Sequence, residues 1–212
     1  MKFSITFEGK KSLQSIQHEF ADKLSPKEIR KTTAFALNTT ARRVIALSRK
    51  EVKKEYTVNN KYLDRMANLS KPASGTVEGL YAAVSYSYKP VPMIGFKSKD
   101  NNKSKSPKKR TGGVTVEIKR GKNQLLKHAF IATMASGHKG IYAVGSYKGK
   151  NFVFDKARSQ SGKQRITEMR TSSPMTMISN KNIQKRTIAY IESNLPSRLR
   201  ALLQNKVNKL TK

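Results

Sequence analysis

The chain contains no cysteine, three histidines and thirteen acidic residues in 212 positions. Without thiols, disulfides, thiolate zinc sites and thiol nucleophiles are excluded, which fits a reducing compartment. His18, His128 and His138 stand far apart, and none has a partner at metal-ligand spacing. The carboxylates are scattered and form no DxD, ExxE or HExxH arrangement that would hold magnesium or activate water. A phosphate-cradling Gly-x-x-x-x-Gly-Lys and a dinucleotide fingerprint are missing as well. No apolar run approaches the roughly 20 residues that span a bilayer. The start, Met1 to Glu8, alternates like a strand and has no leader-type apolar core. These absences predict a soluble intracellular product without catalytic residues, metal, cofactor or membrane partner.

What the chain has in excess is positive charge. Forty-four Lys and Arg give a formal net charge of +31. Self-repulsion on that scale opposes a compact state unless a polyanion or an assembly compensates it. A strongly basic domain carries the electrostatic footprint of a nucleic-acid neighbour. The same surplus would also serve solubility. Charge therefore names a class of partner and not a job.

Along the chain, Phe3, Ile5 and Phe7 share one side of a strand that Gly9 ends. Leu13, Ile16, Phe20 and Leu24 recur at helical spacing. Ser25-Pro26-Lys27-Glu28 then combines a cap, a proline at the first helical position and a capping-box glutamate. It predicts a long helix with Ile29, Ala36, Leu37, Ala41, Val44, Leu47 and Val52 inside. A shorter helix is expected over 59–69. The period then changes. Strands are expected around Val77 to Tyr86, Val91 to Phe96 and Val114 to Ile118, and in Phe130 to Met134 and Ile141 to Val144 around a Ser136 to Gly140 turn.

Residues 97–113 are rich in Lys, Ser, Asn and Gly and nearly free of apolar groups, so they are expected as a mobile basic hairpin loop. The C-terminal stretch is helical, with Pro196 expected to kink or restart it. Leu199, Leu202, Leu203, Val207 and Leu210 repeat at three and four beyond that point. The fold class is α+β: a central antiparallel sheet with a long N-terminal helix and a C-terminal helix. The expected organisation is one domain over 1–195 and a helical arm over 196–212.

Two signals point elsewhere. Gly140-Ile141-Tyr142 is the first tripeptide of the GIY-YIG endonucleases, but the second does not follow at the required distance. Tyr81, Tyr86 and Tyr88 beside Lys89 would suit base stacking. Amphipathic tyrosines at a sheet edge account for them as well. No sequence-reading module is visible.

Three segments, in order, resemble the prophage minor tail protein Z family of long-tailed phages. The first is Thr33-Ala34-Phe35-Ala36-Leu37-Asn38-Thr39-Thr40-Ala41, similar to an Ala-x-Asn-x-x-Ala helix, followed by a basic run and the Tyr62-Leu63-Asp64-Arg65 helix. The second is His128 to Tyr142, which contains Phe130-Ile131, the Ser136-Gly137-His138-Lys139-Gly140 turn and an aromatic strand. The third is Arg165 to Glu168 leading to Ser172 to Met177. The resemblance implies a virion structural protein at the head-proximal end of the tail, made in the host cytoplasm and acting in tail completion and DNA passage. Its implied partners are other copies in a ring, neighbouring tail-tube, tail-terminator or head-tail connector proteins, and packaged DNA.

Positive charge facing such a channel would hold phosphates without reading bases. The candidate nucleic-acid contacts are Lys103, Lys105, Lys108, Lys109 and Arg110 in the loop, with Lys119, Arg120 and Lys122 on the adjoining strand and turn. The alternative for the loop is a solvated tip. The candidate oligomer or partner interface is Leu199, Leu202, Leu203 and Leu210, unless that stripe packs on its own core. A free non-specific nucleic-acid-binding protein is the alternative function.

Overall fold

The computed structural model describes residues 4–6, 11–64, 66–71, 73–74, 80–104, 112–149, 151–154 and 166–211. In chain order the elements are β1 (Ser4–Thr6), α1 (Lys11–Glu19), α2 (Pro26–Glu55), α3 (Asn60–Leu63), β2 (Ala67–Lys71), β3 (Ala83–Tyr86), β4 (Lys97–Asp100), β5 (Val114–Glu117), β6 (Asn123–Leu126), β7 (Phe130–Thr133), β8 (Lys139–Lys148), β9 (Asn151–Phe154), β10 (Ile166–Glu168), α4 (Pro174–Ile178) and α5 (Lys181–Leu210). The chain is α+β, with long helices near both ends and antiparallel sheets between them. It forms two compact units. The first holds Met1–Val52, Arg65–Tyr88 and Pro174–Lys212, and the second Lys53–Asp64 and Lys89–Ser173.

The first unit is mainly helical. α2 starts where its capping box places it: the Glu28 N–H donates to Ser25 Oγ at 3.4 Å, and the Ser25 hydroxyl donates to Glu28 Oε2 at 3.0 Å. Its buried face is Ile29, Thr33, Ala36, Leu37, Thr40, Ala41, Val44, Ser48, Glu51 and Val52, at spacings of three and four. The hydroxyls on that face close back on the helix, Thr33 to the Ile29 carbonyl and Ser48 to the Val44 carbonyl. Leu13, Ile16, Phe20 and Leu24 are buried as their spacing predicts. β1, β3 and β2 make an antiparallel sheet in that order, with Leu69 opposite Val84.

α5 runs for 30 residues through Pro196, so the helix does not restart there. Proline removes one helix donor. The carbonyl it affects is that of Glu192, four residues earlier; Asn194 Nδ2 and Ser197 Oγ add bonds to neighbouring helix carbonyls, Tyr190 O at 2.9 Å and Ser193 O at 3.1 Å. Ion pairs tie α2 to α5 at both ends, Glu51 with Arg186 at 2.9 Å and Glu28 with Lys206 at 3.6 Å. The start of one helix meets the end of the other, so the two run antiparallel.

The second unit is built of short strands. β4, β5 and β6 form one antiparallel sheet; β10, β8 and β7 form another, with β9 on the far part of β8. β7 and β8 pair around the expected turn, Phe130 opposite Tyr142 and Thr133 opposite Lys139. Three expectations change here. The helix expected over 59–69 is the single turn α3, after which the chain enters β2. The strand expected over Val91 to Phe96 holds a 3-10 turn at Met93–Gly95, because Pro92 lacks a ladder donor and Gly95 lies against Tyr62. A Cβ on Gly95 would stand 2.7 Å from the Tyr62 ring.

The third change concerns the basic loop. Lys97–Asp100, expected as its first residues, is strand β4, pairing Lys97 with Glu117 and Asp100 with Val114. β4 carries no apolar alternation and its pattern is largely exposed. It is held by the buried strand β5, whose Val114 and Val116 are inside. Residues 105–111 lie outside the described residues.

Candidate nucleic-acid and partner surfaces

The stem of the basic loop is a network centred on Asn102. Asn102 Nδ2 donates to Asp100 Oδ1 at 2.7 Å, to the Ala129 carbonyl at 3.1 Å and to the Gly113 carbonyl at 3.3 Å. Its Oδ1 accepts from the Gly113 N–H at 3.0 Å, while Asn101 Nδ2 donates to Thr115 Oγ1 at 2.7 Å. Gly113 has φ +68°, and a Cβ on Gly112 would fall 1.9 Å from the Asn101 carbonyl oxygen. The stem therefore needs glycine at both positions. Lys103 stands exposed just beyond it. Lys105, Lys108, Lys109 and Arg110 lie outside the described residues.

Lys119, Arg120 and Lys122 are exposed in the turn between β5 and β6. That turn leaves the opposite end of β5 from the loop stem, and four extended residues put about 13 Å between the ends. The structure thus does not bring Lys103 and this trio together. The turn is itself fixed. Glu117 accepts from the Gly121 N–H at 2.8 Å and pairs with Lys97 at 2.9 Å, and these partners hold its carboxyl below its ordinary value, the Gly121 N–H first. Arg120 Nε donates to the Lys53 carbonyl at 2.8 Å, so part of its guanidinium is already engaged. Lys119 and Lys122 remain as exposed cations on a rigid turn.

The leucines of α5 divide. Leu199 and Leu203 are fully buried. Leu202 is part-exposed and Leu210 is 59% exposed. Of the tyrosine trio, Tyr86 is in the core, its hydroxyl 2.7 Å from Ser48 Oγ. Burial pushes the Tyr86 phenol above its ordinary value. Tyr86 is unavailable for stacking on a base.

Two further features bear on the surface. The first is a cationic face on α2: Arg42, Arg43 and Lys50, which the helical period already sets off the apolar side, are exposed together with Lys31 away from the buried stripe. The second, with little signal in the sequence, is a cluster around Glu168. His138 Nε2 lies 2.6 Å from Glu168 Oε1, and Arg170 reaches Glu168 Oε2 at 3.2 Å. The Tyr142 hydroxyl bonds the His138 carbonyl at 3.4 Å, and the Tyr147 hydroxyl accepts the Arg170 N–H at 2.7 Å. Burial, and then the Glu168 charge, raise the Tyr142 and Tyr62 phenols. This cluster pins the Ser136 to Gly140 turn to β10. Among the described residues no group of three or more His, Asp or Glu is placed to hold a metal.

The small-residue helix motif has a structural role. Ala36 and Ala41 are fully buried, and Asn38 grips one backbone unit of the following segment from both sides. Its Nδ2 donates to the Ala73 carbonyl at 2.9 Å, and its Oδ1 accepts the Ala73 N–H at 2.7 Å. The sequence profile of the family described as Prophage minor tail protein Z (GPZ) matches residues 15–212. The match spans both units and nearly the whole chain.

The chain belongs to the prophage minor tail protein Z family. It is a phage minor tail protein, with a structural role in the virion and other tail components as partners. Neither a curated protein nor a solved structure matches it. Among the described residues no helix is long and apolar enough to cross a membrane. Within the minor tail protein, the motif residues Asn38 and His138 bind other parts of its own fold.

Proposed function

We propose that this minor tail protein is a non-enzymatic completion component at the head-proximal end of the tail. Copies assemble in a ring that joins or caps the tail tube, and cationic side chains steady the DNA end through its phosphates. The observation that carries this reading is the net charge of +31 in a chain of the tail family. Exposed cations lie on both units, on α2 and on the β5–β6 turn. Phosphate contacts of this kind fix position on a duplex without reading sequence. Like-charged subunits in a ring need a polyanion in the channel to relieve their repulsion.

The test has two arms. Tails assembled without the protein should show defective head-proximal ends, and sedimentation of the purified protein should show a multimer. Duplex binding should weaken with salt by about 0.9 in log affinity per phosphate contact. Lys119→Ser and Lys122→Ser should each flatten that slope by about one contact, uniformly across DNA sequences. A persistent monomer that leaves tail ends unchanged would overturn the ring. A slope untouched by both substitutions and by deletion of 103–110 would overturn the DNA contact.

A further inference from the structure

Where α2 begins and α5 ends, the two helices leave an open groove of about 560 Å³ between them. Its walls are successive turns of each helix: Glu28, Lys31 and Phe35 on one side, Leu202, Lys206 and Lys209 on the other. Residues at i, i+3 and i+7 line one helix face, so each wall is about two turns, or about 10 Å, long. Phe35 is 55% exposed, an unusual position for a phenylalanine on a helix whose Ile29, Leu37, Val44 and Val52 are buried. It stands in the groove with Leu202.

The charge around this apolar floor has one sign. Glu28 is occupied, its Oε2 by the Ser25 cap and its Oε1 by Lys206 at 3.6 Å. Lys31 and Lys209 have no carboxylate partner among the described residues. The free charge of the groove is therefore positive, at both rims.

We propose that this groove docks a short acidic amphipathic segment of another tail protein. An apolar side chain of that segment seats between Phe35 and Leu202, and Asp or Glu beside it pairs with Lys31 and Lys209. A helix-in-groove contact of this kind takes its affinity from apolar anchors and its register from flanking charges. A second copy of this chain fits this groove poorly, because with 13 Asp and Glu against 44 Lys and Arg it has few carboxylates to set beside Lys31 and Lys209. A DNA duplex fits poorly for a different reason. Its phosphates would meet the lysines but leave Phe35 and Leu202 uncovered. The proposal rests on tail-family membership and stands whether or not the DNA contact proposed above holds.

The experiment uses the full chain in assembled tails, with photoreactive benzoylphenylalanine introduced at position 35 and, as a control, at position 188 on the exposed side of α5. Irradiation should link position 35 to a different tail protein. Sequencing of the linked peptide should show an apolar residue within one helical turn of Asp or Glu, and position 188 should not give that product. Lys31→Glu with Lys209→Glu should lower the yield about tenfold while the thermal melt stays unchanged, as expected when two rim charges are reversed. A link from position 35 to another copy, to DNA or to a segment without acidic residues would overturn the proposal. So would tails that contain the labelled protein but give no link.

Discussion

The helical unit and the strand unit of this protein reach order by different routes. In the first, α2 presents one continuous stripe at spacings of three and four from Ile29 to Val52, and α5 two shorter ones, Ile183 with Thr187 and Leu195 through Leu199 to Leu203. In the second, most strands are four residues or shorter, and several carry few apolar groups. There the ends of the strands are fixed by side chains bonded to backbone, Asn102 at one end of β5 and Glu117 at the other. The comparison shows where a basic chain can carry its charge. Helices carry cations on a face turned away from the core, as α2 does with Arg42, Arg43 and Lys50. Strands this short carry them at turns, where Lys119 and Lys122 stand on a scaffold held by a carboxylate.

The strongest way to break the comparison is to empty one core at a time. Leu199 in the helical unit and Ile141 in the strand unit are both fully buried. Leu199→Ala and Ile141→Ala should each cost about 2–5 kcal/mol in denaturant unfolding. Hydrogen exchange should then accelerate first in the unit that carries the change. Uniform acceleration across both units would remove the distinction between them.

The clamps come next. Asn38→Ala deletes two bonds to the Ala73 backbone and should cost about 2 kcal/mol. Arg186→Ala should cost a similar amount, about 2 kcal/mol, because it withdraws a partner from the buried Glu51 carboxylate. Asn102→Ala is expected to cost less, about 1 kcal/mol, since Asn102 is only half-buried. Its sharper readout is faster amide exchange at Asn101 and Gly113, which the loop stem protects. Asn102→Ala proving costlier than Asn38→Ala would reverse the roles assigned to the two clamps.

The smallest effects are in pH. Glu28 is held below the ordinary carboxyl value of 4.5 by Ser25, and Glu117 by the Gly121 N–H and Lys97. A lowered value in the folded state stabilises above 4.5, and that contribution is lost as pH falls through the lowered value. Tyr86 is held above 10.0 by burial, so its contribution is present below 10.0 and lost as pH rises through the raised value. Glu117→Gln should flatten the acid limb of a stability titration and leave the alkaline limb unchanged. Tyr86→Phe should do the reverse. Each substitution reports on one unit.

The helical unit was largely legible beforehand, because capping at Ser25 and the stripe from Ile29 to Val52 act within one element. The β7–β8 hairpin was legible for the same reason: its turn lies between two apolar runs. β4, β6 and β9 were not, since none carries an alternating pattern and each forms by pairing with a better strand. The candidate site was legible as a census of cations and, on α2, in the helical period that sets Arg42, Arg43 and Lys50 off the apolar side. Which of them share a surface depends on which end of β5 each leaves from.

The sequence by itself determined the sign and size of the charge, the absence of thiol chemistry, the course of α2 and the family. These depend on composition and on residues a few positions apart. Tertiary structure alone decided that Leu199 and Leu203 face inward while Leu202 and Phe35 line a groove. It also decided that Lys103 and Lys119 stand at opposite ends of a strand, and that Glu168 gathers His138 and Arg170. Those outcomes depend on how separate elements pack, and packing is settled by neighbours far away in sequence.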